Sequence, residues 1–350
     1  MQSIFLLALL AFSVAFAGTW AVRKLVLSRA LRIQHGRGSL CDVPNHRSSH
    51  QTTTPRGGGV AMVLAFLLST IGLAVTQTLP SHVALGMTGS VLLVALIGFL
   101  DDWGFMLSAR KRLFVHFAAA GLFVFSVGGI PAFVAFGVPV DLTWAGNVLA
   151  AVYLVWMVNL FNFMDGIDGI AAVEAVTVAS AGALLWSLTT GSASWMVAVV
   201  LAAAAAGFLC WNHPPAKIFM GDAGSCFLGM ALGAMAIWAG TESPQLFWSW
   251  SILLGCFVVD ATTTLLRRLA RGKRFDEAHR CHVYQYAARR LHSHKRVTYV
   301  YGLVNLLWLF PVAGLVALRY LDGASGLLIA YMPLAWAAFM LKAGALELQE

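Results

Sequence analysis

Three observations predict an all-α, polytopic integral membrane protein. The chain is 59% hydrophobic and only 11% charged, with a mean hydropathy of +0.78, a balance that water-facing surface does not tolerate. Apolar stretches of about 17–25 residues, each able to cross a roughly 30 Å hydrocarbon layer as a helix, recur along all 350 residues. The basic residues then sort to one side of the membrane that these stretches define.

Eleven spans are expected, near 3–22, 57–76, 83–100, 113–129, 146–164, 167–189, 194–211, 223–240, 246–266, 297–318 and 325–341. With a periplasmic N-terminus, the inner segments are 23–56, 101–112, 212–222, 267–296 and a cytoplasmic C-terminal tail. Together they hold 22 of the 23 Lys and Arg residues, and only Arg319 falls outside. That asymmetry is the positive-inside rule, and adding or losing one helix would scramble it. Ala15-Phe16-Ala17 imitates a signal-peptide cleavage site, but no Lys or Arg precedes the first apolar run, and Arg23 and Lys24 follow it. A retained helix is therefore expected.

No linker or composition shift divides the chain, so residues 1–350 read as one membrane domain. The net charge of +8 describes an inner surface suited to anionic lipid headgroups and anionic substrates. No aromatic-basic interleaving points to nucleic acid as a partner. Cys41, Cys210, Cys226, Cys256 and Cys281 show neither metal nor disulfide spacing. Outer connections are short and inner ones elaborate, which argues for cytoplasmic reactants.

The polar residues that interrupt the apolar runs cluster at inner helix ends, where ionisable groups are costly unless they serve a site. Asp101 and Asp102 end one run (GFLDD), and two adjacent carboxylates disfavour joint ionisation unless a cation or basic cluster lies close. Asn159, Asn162, Asp165 and Asp168 recur every three residues in NLFNFMDGIDG. Gly166 and Gly169 break the helix there, so it should stop at Asp165 and restart after Gly169. Carboxylate and carboxamide oxygens at such a break are hard ligands suited to Mg²⁺ or Mn²⁺. Asp222 lies in FMGDAGS at the start of another helix, where a metal could be shared between its carboxylate and a phosphate.

Two inner loops add basic groups. The longer carries Arg267, Arg268, Arg271, Lys273 and Arg274, then His279-Arg280-Cys281-His282. Most of these arginines read as a solvated, headgroup-facing surface, but Arg280 between two histidines could clamp a diphosphate. His292 and His294 read as ordinary loop residues. Asp260 is either an inward site residue or a partner for Arg267 or Arg268. In the first loop, Gly57-Gly58-Gly59 after Pro55-Arg56 is either a phosphate-approach turn or a close helix contact.

In order and spacing, DxPNxRxxH with PxGGG, GFLDD, NxxNxxDGxDG, WNxPPAKIFMGDxGS, an Asp before RR and a His-rich loop resemble the polyprenyl-phosphate N-acetylhexosamine-1-phosphate transferases of the glycosyltransferase family 4 type. The resemblance spans nearly the whole chain. It implies transfer of a sugar-1-phosphate from a UDP-N-acetylhexosamine to undecaprenyl phosphate, releasing UMP, with Mg²⁺ or Mn²⁺. The site would lie on the cytoplasmic face of a bacterial inner membrane.

Carried over by motif, Asp101, with Asp102 beside it, would deprotonate or orient the lipid phosphate. Asp222 and Asn162 would hold the metal. Gly166, Ile167 and Asp168 would line a uracil pocket with Phe219 stacked on the base. Asn212, Asp165 and Lys217 would contact the rest of the nucleotide, Asp165 also standing as a catalytic candidate. His279, Arg280 and His282 would grip the sugar diphosphate.

The chain departs from the family pattern at His279-Arg280-Cys281-His282, where members using a muramoyl-pentapeptide donor carry three consecutive histidines. That points to the branch initiating O-antigen or related polysaccharides. A homodimer is compatible with the resemblance. The rival reading is a transporter of an anionic substrate, for which polar groups would be expected near mid-bilayer.

Overall fold

The computed structural model describes residues 2–30, 40–42, 52–105, 107–130, 132–274 and 279–345. Of the DxPNxRxxH motif only Asp42 belongs to that set, and Pro44 to His50 lie outside it.

The expected spans coincide with helices: α1 (Gln2–Ala30), α2 (Gly59–Val75), α3 (Ser81–Asp102), α4 (Ala109–Ser126), α5 (Thr143–Met164), α6 (Ile170–Thr189), α7 (Met196–Asn212) and α8 (Asp222–Glu242). They continue as α9 (Pro244–Leu253), α10 (Gly255–Leu269), the short α11 (Val283–Leu291), α12 (His294–Val304), a π turn over Asn305–Leu309, α13 (Phe310–Ala317) and α14 (Gly323–Met340). Among the described residues, seven spans are long and apolar enough to cross a membrane, α12 to α13 counting as one, or eight if α9 and α10 form a single crossing bent by 69°. The chain is a multi-pass membrane protein. The shortfall from eleven has a simple cause. α2 and α7 are 17 residues each, and α4 begins with Arg110-Lys111-Arg112, which lowers its hydropathy.

The fold is nearly, not wholly, α. Two antiparallel ribbons interrupt it: β1 (Cys41–Asp42) with β2 (Thr54–Pro55), and β3 (Phe133–Ala135) with β4 (Val138–Val140). Both lie in loops whose lengths were read from sequence without a periodic signal to mark a strand.

α8 is the central pillar. Its whole apolar window is buried, against 17% for α1 and 28% for α14. Its sequence, DAGSCFLGMALGAMAIWAGTE, is rich in small residues. In hydrocarbon, where no hydrophobic drive holds helices together, small residues let backbones approach for dispersion contact. A Cβ on Gly98 of α3 would stand 2.6 Å from the Asp222 carbonyl, and one on Gly59 of α2 would stand 2.5 Å from Gly224 Cα. Both contacts need glycine. The PxGGG run therefore serves close helix packing at its last residue, and the same packing draws the starts of α2 and α8 and the end of α3 to one spot.

Candidate active site

The site is assembled where α3 and α5 end and where α2, α6 and α8 begin. Residues Pro55 to Gly59 run alongside Phe219 and Met220. Phe219 N–H donates to the Pro55 carbonyl (2.8 Å), Gly58 N–H to the Phe219 carbonyl (3.0 Å), and Gly59 N–H to the Met220 carbonyl (2.9 Å). Gly221 then turns with φ +81°, a conformation that suits glycine, and α8 starts at Asp222.

Asp102 caps that helix from another element. Its carboxylate accepts the backbone N–H of Asp222 (2.9 Å) and of Ala223 (3.1 Å), satisfying two of the donors a helix N-terminus leaves unpaired. Its side chain is 0% exposed, so it anchors the start of α8, while its neighbour Asp101 stays 20% exposed. The two carboxylates escape mutual repulsion by pairing with separate cations: Asp102 with Arg56 Nε (2.9 Å) and Asp101 with Arg112 Nη1 (2.6 Å). Arg56 also reaches the Asp222 carboxylate and so bridges two aspartates 120 positions apart.

Burial works against the Arg56 charge, but Asp222 and then Asp102, Asp42 and Asp165 hold the guanidinium above its ordinary range. Arg56 was absent from the candidate residues. The signal that could have found it is that it is the lone charge in the PRGGG run.

α5 stops at Met164 and α6 restarts at Ile170, as the two glycines predict. Asn162 Nδ2 donates to Ser225 Oγ in the first turn of α8 (3.2 Å), whereas Asn159 bonds back to the Val155 carbonyl (2.7 Å) and stays outside the cluster. The Asp165 carboxyl is held well above the usual carboxylate range. Burial is the main cause, and repulsion from Asp222, Asp102 and Asp168 adds to it against the pull of Arg56.

Beyond Asp165 opens a cavity of about 710 Å³, lined by Gly166, Ile167, Asp168, Pro214 to Ala216, Phe219, Arg280, Arg289 and His292 to Lys295. That volume suits a nucleotide-sized ligand. Asp168 holds its wall in place: Oδ2 accepts Ala216 N–H (3.0 Å), Oδ1 faces His294 Nδ1 (3.3 Å), and the carbonyl accepts Thr298 Oγ1 (2.8 Å). His292 and His294, read as plain loop residues, both line the cavity. They lack any motif spacing, and the end of α11 and the start of α12, which packs on α6, bring them there.

Asn212 and Lys217 are placed differently from the expected nucleotide contacts. Asn212 is 3% exposed and clips two backbone segments together, accepting Gly169 N–H (3.0 Å) and donating to the Ile218 carbonyl (3.0 Å). Lys217 is exposed, with its ammonium over the Trp211 ring at 5.5 Å.

Asp260 is buried and faces inward. It caps α11 as Asp102 caps α8, accepting Val283 N–H (2.9 Å) and Tyr284 N–H (3.1 Å), with Tyr301 Oη (2.9 Å) and His282 Nδ1 (3.3 Å) beside it. His282 is buried, Arg280 reaches the cavity, and His279 meets Cys281 Sγ (3.2 Å). Burial, then the charges of His282 and Arg268, push His279 down to about 3, so it is neutral at physiological pH. Tyr284 of α11 donates to the Phe163 carbonyl (2.9 Å), and its hydroxyl fills the space a side chain at Gly166 would need.

Among the described residues, no group of three or more His, Cys, Asp or Glu forms a ready-made coordination sphere. The donor set nevertheless fits a hard divalent cation. Around Asp165 the carboxylates of Asp222, Asp102 and Asp168 oppose the pull of the Arg56 guanidinium, and a carboxamide, Asn162, stands at the same helix ends.

A helical membrane bundle whose carboxylates converge at one end beside a nucleotide-sized cavity defines a membrane-embedded group transferase, and comparison with known proteins agrees. Residues 84–240 match Glycosyl transferase family 4. A phospho-N-acetylmuramoyl-pentapeptide-transferase of Moorella thermoacetica is 33% identical over 261 residues, covering 69% of this chain and 77% of the relative. A probable undecaprenyl-phosphate N-acetylglucosaminyl 1-phosphate transferase of Bacillus subtilis is 27% identical over 284 residues, 79% and 76% of the two chains. The chain belongs to the polyprenyl-phosphate hexosamine-1-phosphate transferases of glycosyl transferase family 4.

Proposed function

We propose that this protein transfers an N-acetylhexosamine-1-phosphate from a UDP-sugar to undecaprenyl phosphate at the cytoplasmic face of a bacterial inner membrane. A lipid-phosphate oxygen attacks the sugar-bearing phosphorus, the diphosphate bond breaks, and UMP leaves. The observation that carries this reading is the convergence of Asp102, Asn162, Asp165, Asp222 and Arg56, drawn from four separate segments, beside the cavity. Polar groups at helix ends, rather than at mid-bilayer, favour a transferase over a transporter.

Phosphoryl transfer between two anions needs positioning and charge compensation more than covalent help. Asp222, Asp165 and Asn162 would hold Mg²⁺ or Mn²⁺, which supplies charge neutralisation on the donor diphosphate. Asp102 and Arg56 fix the start of α8 and so aim Asp222. Asp101, partly exposed and paired with Arg112, orients the lipid phosphate where it enters from the bilayer. Phe219 offers a stacking face to the base, and Arg280 a planar fork for phosphate.

In this reading α2, α4 and α7 also cross, giving eleven passes with the N-terminus periplasmic and 22 of 23 basic residues inside. The His279-Arg280-Cys281-His282 run favours the O-antigen-initiating branch, with UDP-N-acetylglucosamine or UDP-N-acetylfucosamine as donor. The matched relatives include both N-acetylglucosaminyl and muramoyl-pentapeptide transferases, so the donor rests on that run. A panel of UDP-N-acetylhexosamines with undecaprenyl phosphate and Mg²⁺, scored for UMP and lipid product, tests it. Release of UMP from a simple UDP-N-acetylhexosamine is the expected result. Turnover only of the muramoyl-pentapeptide donor would move the protein to the peptidoglycan branch, and no UMP from any donor would refute the reaction.

A further inference from the structure

We propose that Glu174 is a neutral acid locked to Asn305 in a reciprocal acid–amide pair, and that this pair is a positioning unit for the nucleotide cavity. The inference rests on the proposed UDP-sugar reaction only for what the cavity binds.

Glu174 lies in the second turn of α6, and Asn305 directly follows α12. They are 1% and 2% exposed. Asn305 Nδ2 donates to Glu174 Oε2 (2.7 Å) and to Thr177 Oγ1 (2.9 Å), which uses both amide hydrogens. Two acceptors remain, since Glu174 Oε1 and Asn305 Oδ1 are buried without a hydrogen-bond partner. The Thr177 hydroxyl does not serve them, because it donates back to the carbonyls of Val173 (2.8 Å) and Glu174 (3.1 Å).

An ionised carboxylate here would be a buried charge without a counter-ion, which is costly. Among the described residues, the titratable groups that feel Glu174 are Cys256 of α10, Tyr301 of α12 and Tyr331 of α14, and none is a base that could offset a carboxylate. A metal ion fits poorly, since two free oxygens fall well short of the roughly six that hard cations take. One proton on Oε1 resolves the count. Acid and amide are both planar, and an O–H donated to Asn305 Oδ1 closes a ring of two hydrogen bonds that leaves neither oxygen unpaired.

The pair acts on the site through α12. Thr298, Tyr301 and Asn305 recur at helical spacing on one face, and each grips a different element. Thr298 Oγ1 holds the Asp168 carbonyl (2.8 Å), Tyr301 Oη the Asp260 carboxylate (2.9 Å) and Asn305 the Glu174 carboxyl. The first turn of α12 carries His294 and Lys295 into the cavity wall. The Asn305 anchor, at the other end of the helix, fixes the direction in which that wall runs.

Glu174→Gln is the discriminating substitution. A carboxamide reproduces the neutral acid, offering an N–H to Asn305 Oδ1, and does not reproduce a carboxylate. The full-length protein in nanodiscs is titrated with UMP by calorimetry, as wild type, Glu174→Gln, Glu174→Ala and Glu174→Leu, with folding checked by tryptophan fluorescence melting. Glu174→Gln should keep UMP affinity within about twofold of wild type, whereas Glu174→Ala should lose roughly tenfold, the worth of about one net hydrogen bond. Glu174→Leu, which fills the volume, stands in if the alanine variant does not fold. Infrared difference spectra of wild type against Glu174→Gln at neutral pH should show a protonated-carboxyl C=O stretch in wild type only.

Absence of that stretch, or a loss in Glu174→Gln as large as that in Glu174→Ala, would overturn the neutral pair. UMP affinity unchanged in a folded Ala or Leu variant would overturn the positioning role and leave the transferase reading intact. Failure of wild type to bind UMP would overturn the positioning role together with that reading.

Discussion

The two ends of the bundle treat their carboxylates in opposite ways. At the end away from the site, Glu242 is saturated by neutral donors: Trp186 Nε1 (2.8 Å), Ser192 Oγ (2.5 Å) and Ser194 Oγ (2.5 Å). Asp322 caps α14 through Ser325 N–H (3.0 Å) and takes Phe136 N–H (3.2 Å) and Gly137 N–H (3.3 Å) from the ribbon of β3 and β4. Each of these acids is met by neutral donors and closes a loop. At the site end, Asp222, Asp102 and Asp168 all repel Asp165 against the pull of Arg56. An arrangement that raises the energy of the resting protein is poor architecture unless a ligand relieves it, and an incoming cation would do so. The contrast is between acids satisfied singly by neutral donors and acids crowded together at one end of the bundle.

The largest effect should come from Asp222→Ala, with UMP release falling by about 10²–10³-fold, the scale seen when one preorganised electrostatic group is removed. Membrane insertion should persist, and full turnover in this variant would break the contrast at its centre. Arg56→Ala removes the cation that aligns Asp102 with Asp222, so a loss of about 10–100-fold is expected with a lower melting temperature. Arg56→Lys, which keeps charge but not the fork, should recover only part of it.

Asp260→Asn tests whether a capping carboxylate at the site end acts on function. It weakens the start of α11, an effect of about 1–2 kcal/mol, and because α11 carries Gln285, Ala288 and Arg289 into the cavity wall, KM for the donor should rise with kcat less affected. An unchanged KM would make Asp260 purely structural.

His279→Ala should raise donor KM a few-fold while leaving the shape of the pH profile between 5 and 8 unaltered, since its pKa near 3 keeps it neutral throughout. Between about pH 6.5 and 3 the unfolded chain takes up a proton that the folded chain refuses, so this histidine costs stability as pH falls, and His279→Ala should blunt acid unfolding. The smallest effect on turnover should be at the other end, where Glu242→Gln is expected to lower stability by about 1–3 kcal/mol with kcat unchanged at permissive temperature. A kcat loss there would erase the distinction between the two ends.

Much of the site was legible because its acids interrupt apolar runs. A carboxylate is conspicuous against hydrocarbon, and Asp101, Asp102, Asp165 and Asp222 needed no structure to be noticed. The stop after Asp165 and restart at Ile170 followed from Gly166 and Gly169. Basic and neutral partners were harder. Arg56 looked like one more charge in a basic loop, and His294 like one of several histidines in another, because loop composition carries no period from which a neighbour can be computed. Asp102 and Asp260 show the same limit differently. Both were found as acids, but capping a helix from a distant segment leaves no trace in local spacing.

The sequence by itself determined that the chain lives in a membrane, which way its charge is biased, where its helices run and which carboxylates are out of place, since burial of apolar length and the cost of a lone charge are local properties. Only the tertiary structure decided which acids are paired, capped or left crowded. That depends on the small-residue contacts of Gly59 and Gly98 against α8, which set backbone separations to within an ångström. No one-dimensional pattern records those separations.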